Sequence, residues 1–77
     1  MKSVVMLFNA TSGKFKKEAL YTLSPKKAII AAYEQLKGNF NTYDYPEDMK
    51  NIYKSKIIKD RLLLDVSEDL VLYSQPA

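Results

Sequence analysis

Seventy-seven residues with no cysteine and no histidine make one small domain, residues 1–77, without disulfides, thiol nucleophiles, the usual zinc ligands or imidazole acid–base chemistry. The net charge of +3 is unevenly spread: residues 1–43 set seven lysines against Glu18 and Glu34, a balance of +5, while residues 44–77 come to −2. Arg61 is the single arginine, so the basic half lacks the dense stripe that most nucleic-acid binders carry.

Ser3 to Phe8, SVVMLF, is apolar at successive positions and reads as a strand buried on both faces and central in its sheet. Asn9 to Gly13 is a run of turn formers. Lys14 to Leu23 then alternates, with Phe15, Ala19, Tyr21 and Leu23 on one side and Lys16, Glu18 and Thr22 on the other, which predicts a β-hairpin. From Ser24 to Gly38 the signals are strongest. Ser24 is a favoured N-cap, Pro25 suits the first helical position, and Ile29, Ala32, Tyr33 and Leu36 recur at i, i+3, i+4 and i+7. Gly38 is placed to close the last turn in a left-handed conformation, with Lys37 on the favourable side of the dipole. Lys26 and Lys27 lie in the first turn, where cations are unfavourable unless they meet an anion.

Residues 39–46, NFNTYDYP, combine aromatics with turn chemistry. Pro46 can open a second short helix with Glu47 and Asp48 in its first turn and Met49, Ile52 and Tyr53 as its apolar stripe, ending near Tyr53 to Ser55. Lys56 to Lys59, Leu62 to Val66 and Leu70 to Tyr73 read as strands, with turns at Asp60-Arg61 and Ser67–Asp69 and a frayed tail from Ser74 to Ala77. The expected order is ββα(α)βββ: an α+β domain whose mostly antiparallel sheet of about four to five strands packs on one main helix. A single helix covers one face of a sheet, whereas Val5, Leu7, Leu63, Val71 and Tyr73 alternate with their neighbours and point partly to the other. That face is expected to meet a protein partner or a second copy in a homodimer.

Catalysis would rest on Asp, Glu, Lys, Tyr or Ser. Asp65, Glu68 and Asp69 cluster near one turn without the spacing of a calcium loop, and Asp44 with Glu47 and Asp48 is better explained by helix capping than by paired acid–base carboxylates. Gly13 and Gly38 are the only glycines, so there is no phosphate-binding glycine loop. The chain is expected not to be an enzyme and to need neither cofactor nor metal. No apolar run approaches the roughly 18 residues a membrane span needs, and Met1 to Phe8 lacks the length and flanks of a secretory signal; a cytoplasmic protein without a membrane partner is expected.

The stretch Leu23-Ser24-Pro25-x-x-Ala28-Ile29-x-Ala31-Ala32-Tyr33-x-Gln35-x-x-Gly38-Asn39-Phe40-Asn41-Thr42-Tyr43, about a third of the chain, resembles a motif of small uncharacterised proteins of bacteria and their phages or mobile elements. In that motif an aromatic follows Gly-Asn and another follows Asn-Thr; Phe40 and Tyr43 hold those places, and Tyr45 sits where a further aromatic is common. The resemblance implies a compact α+β fold and a mobile-element origin, and it transfers no catalytic residue.

Two readings of function follow. In the first the protein is a non-enzymatic binding module, of the kind phages use to occlude a host or defence protein such as a CRISPR-type effector. Phe40, Tyr43, Asp44, Tyr45 and Tyr73 are then the contact residues, because tyrosine gives large contact area with few rotors. The loop aromatics have a second possible role, plugging the end of the core. In the alternative reading the protein is a small basic nucleic-acid-binding module, with Lys14, Lys16, Lys17, Lys26 and Lys27 on the phosphates.

Overall fold

The computed structural model describes residues 1–46 and 49–77. Strands β1 (Ser3–Asn9) and β2 (Phe15–Tyr21) form the N-terminal hairpin, helix α1 (Pro25–Lys37) follows, and β3 (Tyr53–Lys54), β4 (Leu62–Asp65) and β5 (Leu70–Pro76) complete an α+β fold. The five strands lie in the order β2-β1-β5-β4-β3 with every neighbouring pair antiparallel. The N-terminal hairpin therefore occupies one side of the sheet, and α1 carries the chain across to the far edge. β4 and β5 then return inward until β5 closes against β1.

Helix α1 starts as its residues dictate: Ser24 is the N-cap, its hydroxyl accepting the Lys27 N–H at 3.5 Å, and Pro25 is the first helical residue. Ala28, Ile29, Ala32 and Tyr33 are buried along one stripe and meet Val5, Leu7, Leu64, Leu70 and Leu72 of the sheet, with Val66 from the turn after β4, to form the core. Two fully buried serines hold the helix in place. Ser3 Oγ donates to the Leu23 carbonyl at 2.7 Å and Ser74 Oγ donates to the Pro25 carbonyl at 2.8 Å, so strands β1 and β5 grip the start of α1 by hydrogen bonds as well as by packing.

Several expectations are corrected. Gly38 is right-handed, φ −81° and ψ −15°, so it does not close the helix by a left-handed turn. The Asn39 and Phe40 N–H groups reach the Leu36 carbonyl, and the Asn39 side chain donates to the Gln35 carbonyl at 3.1 Å. Among the described residues α1 is the only helix. The stripe Met49, Ile52, Tyr53 makes one tight turn in which Met49 takes φ 50°, and the chain then enters β3; Glu47 and Asp48, placed in the first turn of the expected helix, lie outside the described residues. Lys56 to Lys59 belongs to the turn between β3 and β4 rather than to a strand, with Asp60 at φ 62°. Ser74 to Ala77 is no frayed tail, since β5 runs to Pro76 and the Ala77 N–H donates to the Lys2 carbonyl.

The most consequential correction concerns which face of the sheet each residue takes. Val5 and Leu7 are buried under α1, and so are Leu64 and Leu72. Residues opposite one another in an antiparallel pair share a face, so the register Val4↔Leu20, Met6↔Glu18, Met6↔Tyr73, Phe8↔Val71, Leu63↔Tyr73 and Tyr53↔Leu63 collects the alternate set on the other side. β1 is thus covered on one face only, and its apolar run serves two different surroundings.

Candidate functional site

The helix-free face of the sheet is largely apolar, interrupted by Glu18 opposite Met6, Gln75 opposite Val4 and Asp65 opposite Val71. Leu20, Val4, Met6, Tyr73, Leu63 and Tyr53 run across the strands, and Phe8, Phe15 and Val71 lie beside them. A register shift between Leu7 and Phe8 brings Phe15 opposite Phe8, and the two rings meet edge to face at 5.6 Å. Phe8 also lies 4.7 Å from Tyr73. Among the described residues no helix lies over this face: Leu20, Phe15 and Tyr53 on the edge strands are 63%, 52% and 48% exposed, while Val4, Met6, Phe8, Leu63 and Tyr73 are half-buried and Val71 is buried. Arg61 lies over the Tyr73 ring at 4.7 Å and donates from Nε to Gln75 Oε1 at 2.8 Å, so the guanidinium covers one end of the patch without leaving it. Burial first, then the Asp65 carboxylate and Tyr73, push the Tyr53 phenol above its ordinary value.

The loop after α1 divides its aromatics between two tasks. Tyr33 is fully buried, and its hydroxyl donates to the Tyr43 carbonyl at 2.6 Å while accepting the Tyr45 N–H at 3.1 Å, which fixes the loop from inside. Tyr45 turns inward, its ring 5.7 Å from Tyr33 and its hydroxyl donating to the Asp65 carbonyl at 2.7 Å. Phe40 and Tyr43 are exposed, and Asp44 sits in solvent 3.7 Å from the Lys37 ammonium. Of the expected contact residues, Tyr45 plugs the core end, whereas Phe40, Tyr43 and Asp44 face outward. Tyr73 belongs to the opposite surface. The five do not form one site: Phe40 borders the helix side of the sheet and Tyr73 the helix-free side.

The lysines are divided too. Lys16 and Lys17 border a groove between β2 and α1, Lys14 sits in the hairpin turn, and Lys26 borders a second cavity at the start of α1. Lys54 and Lys59 join Lys26 there, together with Asp60. Three lysines from three parts of the chain thus converge on a cavity of about 530 Å³, but the Asp60 carboxylate shares it.

The residues missed from sequence are those whose face only the register reveals: Val4, Met6, Phe8 and Leu20. One local signal was available. Ser3-x-Val5-x-Leu7 and Leu70-x-Leu72-x-Ser74 each place a serine in phase with the buried set, and a buried serine must find a hydrogen-bond partner, here the Leu23 carbonyl just before the helix and the Pro25 carbonyl within it. A scan of protein-family models found no match to the chain, and searches of curated proteins and of solved structures found none either.

Proposed function

We propose that the protein is a small non-enzymatic binding module that acts by covering a surface of a protein partner with the helix-free face of its sheet. The observation that carries this reading is the row Leu20, Val4, Met6, Tyr73, Leu63 and Tyr53, apolar side chains on the face that α1 does not cover. Contiguous apolar surface of this kind is the usual mark of an interface, and an aromatic–arginine pair at its edge suits an interface anchor. The resemblance of Leu23 to Tyr43 to proteins of phages and mobile elements supports a particular role for such a module, steric occlusion of a host or defence protein, for example a CRISPR-type effector, inside the bacterial cytoplasm. A second copy of the chain is the alternative occupant of the same face.

Affinity capture from host lysate with wild type and Leu20→Glu tests the reading. Leu20 is largely exposed, so the charge interrupts the patch without entering the core. Loss of a captured protein with the variant is expected; equal recovery by both would overturn the assignment of this face. Light scattering at about 100 µM decides the homodimer, because a strict monomer there excludes a physiologically useful self-affinity.

A second reading, a nucleic-acid module, is favoured by the Lys26, Lys54 and Lys59 cluster. Its test is salt. Binding through several phosphate contacts weakens steeply as salt rises, and a log–log slope near zero for DNA and RNA would remove it.

A further inference from the structure

Helix α1 lies over β1, β5 and β4 and meets β2 chiefly at Tyr21, which opens a groove of about 680 Å³ between that strand and the helix. Two alanines keep it open, Ala19 on the strand and Ala32 on the helix, where any larger apolar residue would fill the space. Its floor is apolar, built from Val5, Leu7 and Leu72. Its charge is one-sided: the register Leu7↔Lys17 turns Lys17 onto the helix side, Lys16 joins it at the rim, and no acidic residue is among the described lining. The Tyr21 hydroxyl donates to Gln35 Oε1 at 3.3 Å and links strand to helix along the groove.

A cleft of this size matches the range, roughly 300–1,000 Å³, in which proteins hold small organic ligands. An apolar floor alone would accept any hydrocarbon, and two lysines alone would accept any anion. Together they select a molecule with both parts. We propose that this groove is a binding site for an anionic amphiphile, a single-chain carboxylate whose tail lies between Ala19, Leu36 and Phe40, over a floor backed by Val5, Leu7 and Leu72, and whose head group meets Lys16 and Lys17. A nucleic-acid strand fits it poorly, since the floor offers hydrocarbon where a polyanion needs a continuous row of cations. The site lies on the opposite side of the sheet from the surface assigned to a protein partner, so either assignment stands or falls without the other.

Titrating the intact protein with dodecanoate below its micelle-forming concentration, followed by NMR chemical shifts, tests the proposal. Saturable shifts at Ala19, Ala32 and Leu36 are expected. Shifts centred on Val4, Met6 and Tyr73 would overturn the site, as would none at all. Dodecyltrimethylammonium, with the same tail and the opposite charge, should bind more weakly; equal binding would refute the role of the lysines. Lys16→Glu/Lys17→Glu should weaken dodecanoate by about tenfold, the scale expected for reversing two exposed charges. Ala19→Trp should block binding by filling the groove, whereas Leu20→Trp, the next residue on the opposite face, should leave it intact. Should Ala19→Trp fail to fold, the shift map and the double lysine variant still decide the matter.

Discussion

Tyr33 shows how much a single polar tip can organise. A phenylalanine there would keep the ring in the core but orphan the Tyr43 carbonyl and the Tyr45 N–H, both satisfied by one hydroxyl. Leaving such groups unpaired costs about 1–3 kcal/mol, and in a domain this small each kcal/mol lowers Tm by roughly 4–8 °C. Tyr33→Phe should therefore melt clearly below wild type; an unchanged Tm would show that the loop does not depend on this hydroxyl. Tyr45 adds a pH dependence. Burial first, then the Asp65 charge and the neighbouring phenols, raise its pKa in the folded state. The neutral form is favoured by folding, so its contribution is fully present below the unfolded phenol value of about 10 and is lost as pH rises through the higher folded value. Urea midpoints should fall above about pH 10, and Tyr45→Phe should make that fall shallower while lowering stability near neutrality through loss of the Asp65 hydrogen bond. A variant as alkali-sensitive as wild type would contradict the assignment. Tyr33 was legible from its i+4 place on the helical stripe, but its hydroxyl partners were not, because they come from a loop whose path nothing local dictates.

Helix α1 and the segment after it mark where sequence reading succeeds and where it stops. The cap at Ser24, the proline at the first position and the apolar stripe all act within one or two turns, so the helix could be read from its own residues. The segment from Pro46 to Tyr53 offered the same kind of stripe over only three residues, too short for periodicity to separate a helix from a turn followed by a strand. Pairing with β4 prevailed, because Tyr53 and Lys54 complete hydrogen bonds that the edge of β4 would otherwise lack. Asp60, in left-handed conformation, supplies the turn for which the sequence offered no glycine; aspartate tolerates that region better than most residues. Gly38 is the converse case, a glycine in a conformation any residue adopts. A Cβ there would have its nearest contact at 3.8 Å, the Gln35 carbonyl. Gly38→Ala should accordingly be neutral or stabilise by about 0.4–1 kcal/mol through the unfolded chain, and a loss of more than about 1 kcal/mol in a denaturation curve would indicate that the glycine is needed.

For the molecule as a whole, the α+β architecture and the greasy second face of its sheet could both be anticipated by counting one helix against a sheet of apolar strands. Which residues occupy that face could not, since Val4 and Val5, or Met6 and Leu7, are equally apolar and a slip of one residue exchanges them. The buried serines, bound to carbonyls at the start of α1, record the outcome: Ser3 and Ser74 stand with Val5, Leu7 and Leu72 under the helix and leave Val4, Met6, Phe8 and Tyr73 outward. The candidate contact residues were half legible for the same reason. Tyr73 and the exposed Phe40 and Tyr43 were named, but on two surfaces rather than one. Site-specific photocrosslinking in host cells tests the proposed contact face most directly, with a photoreactive phenylalanine analogue placed in turn at Leu20, at Tyr53 and at Glu34 on the outer side of α1. Adducts to one protein species from the two sheet positions and none from the helix are predicted. Adducts from Glu34 with none from Leu20 or Tyr53 would contradict the assignment of the helix-free face as the surface through which this protein acts.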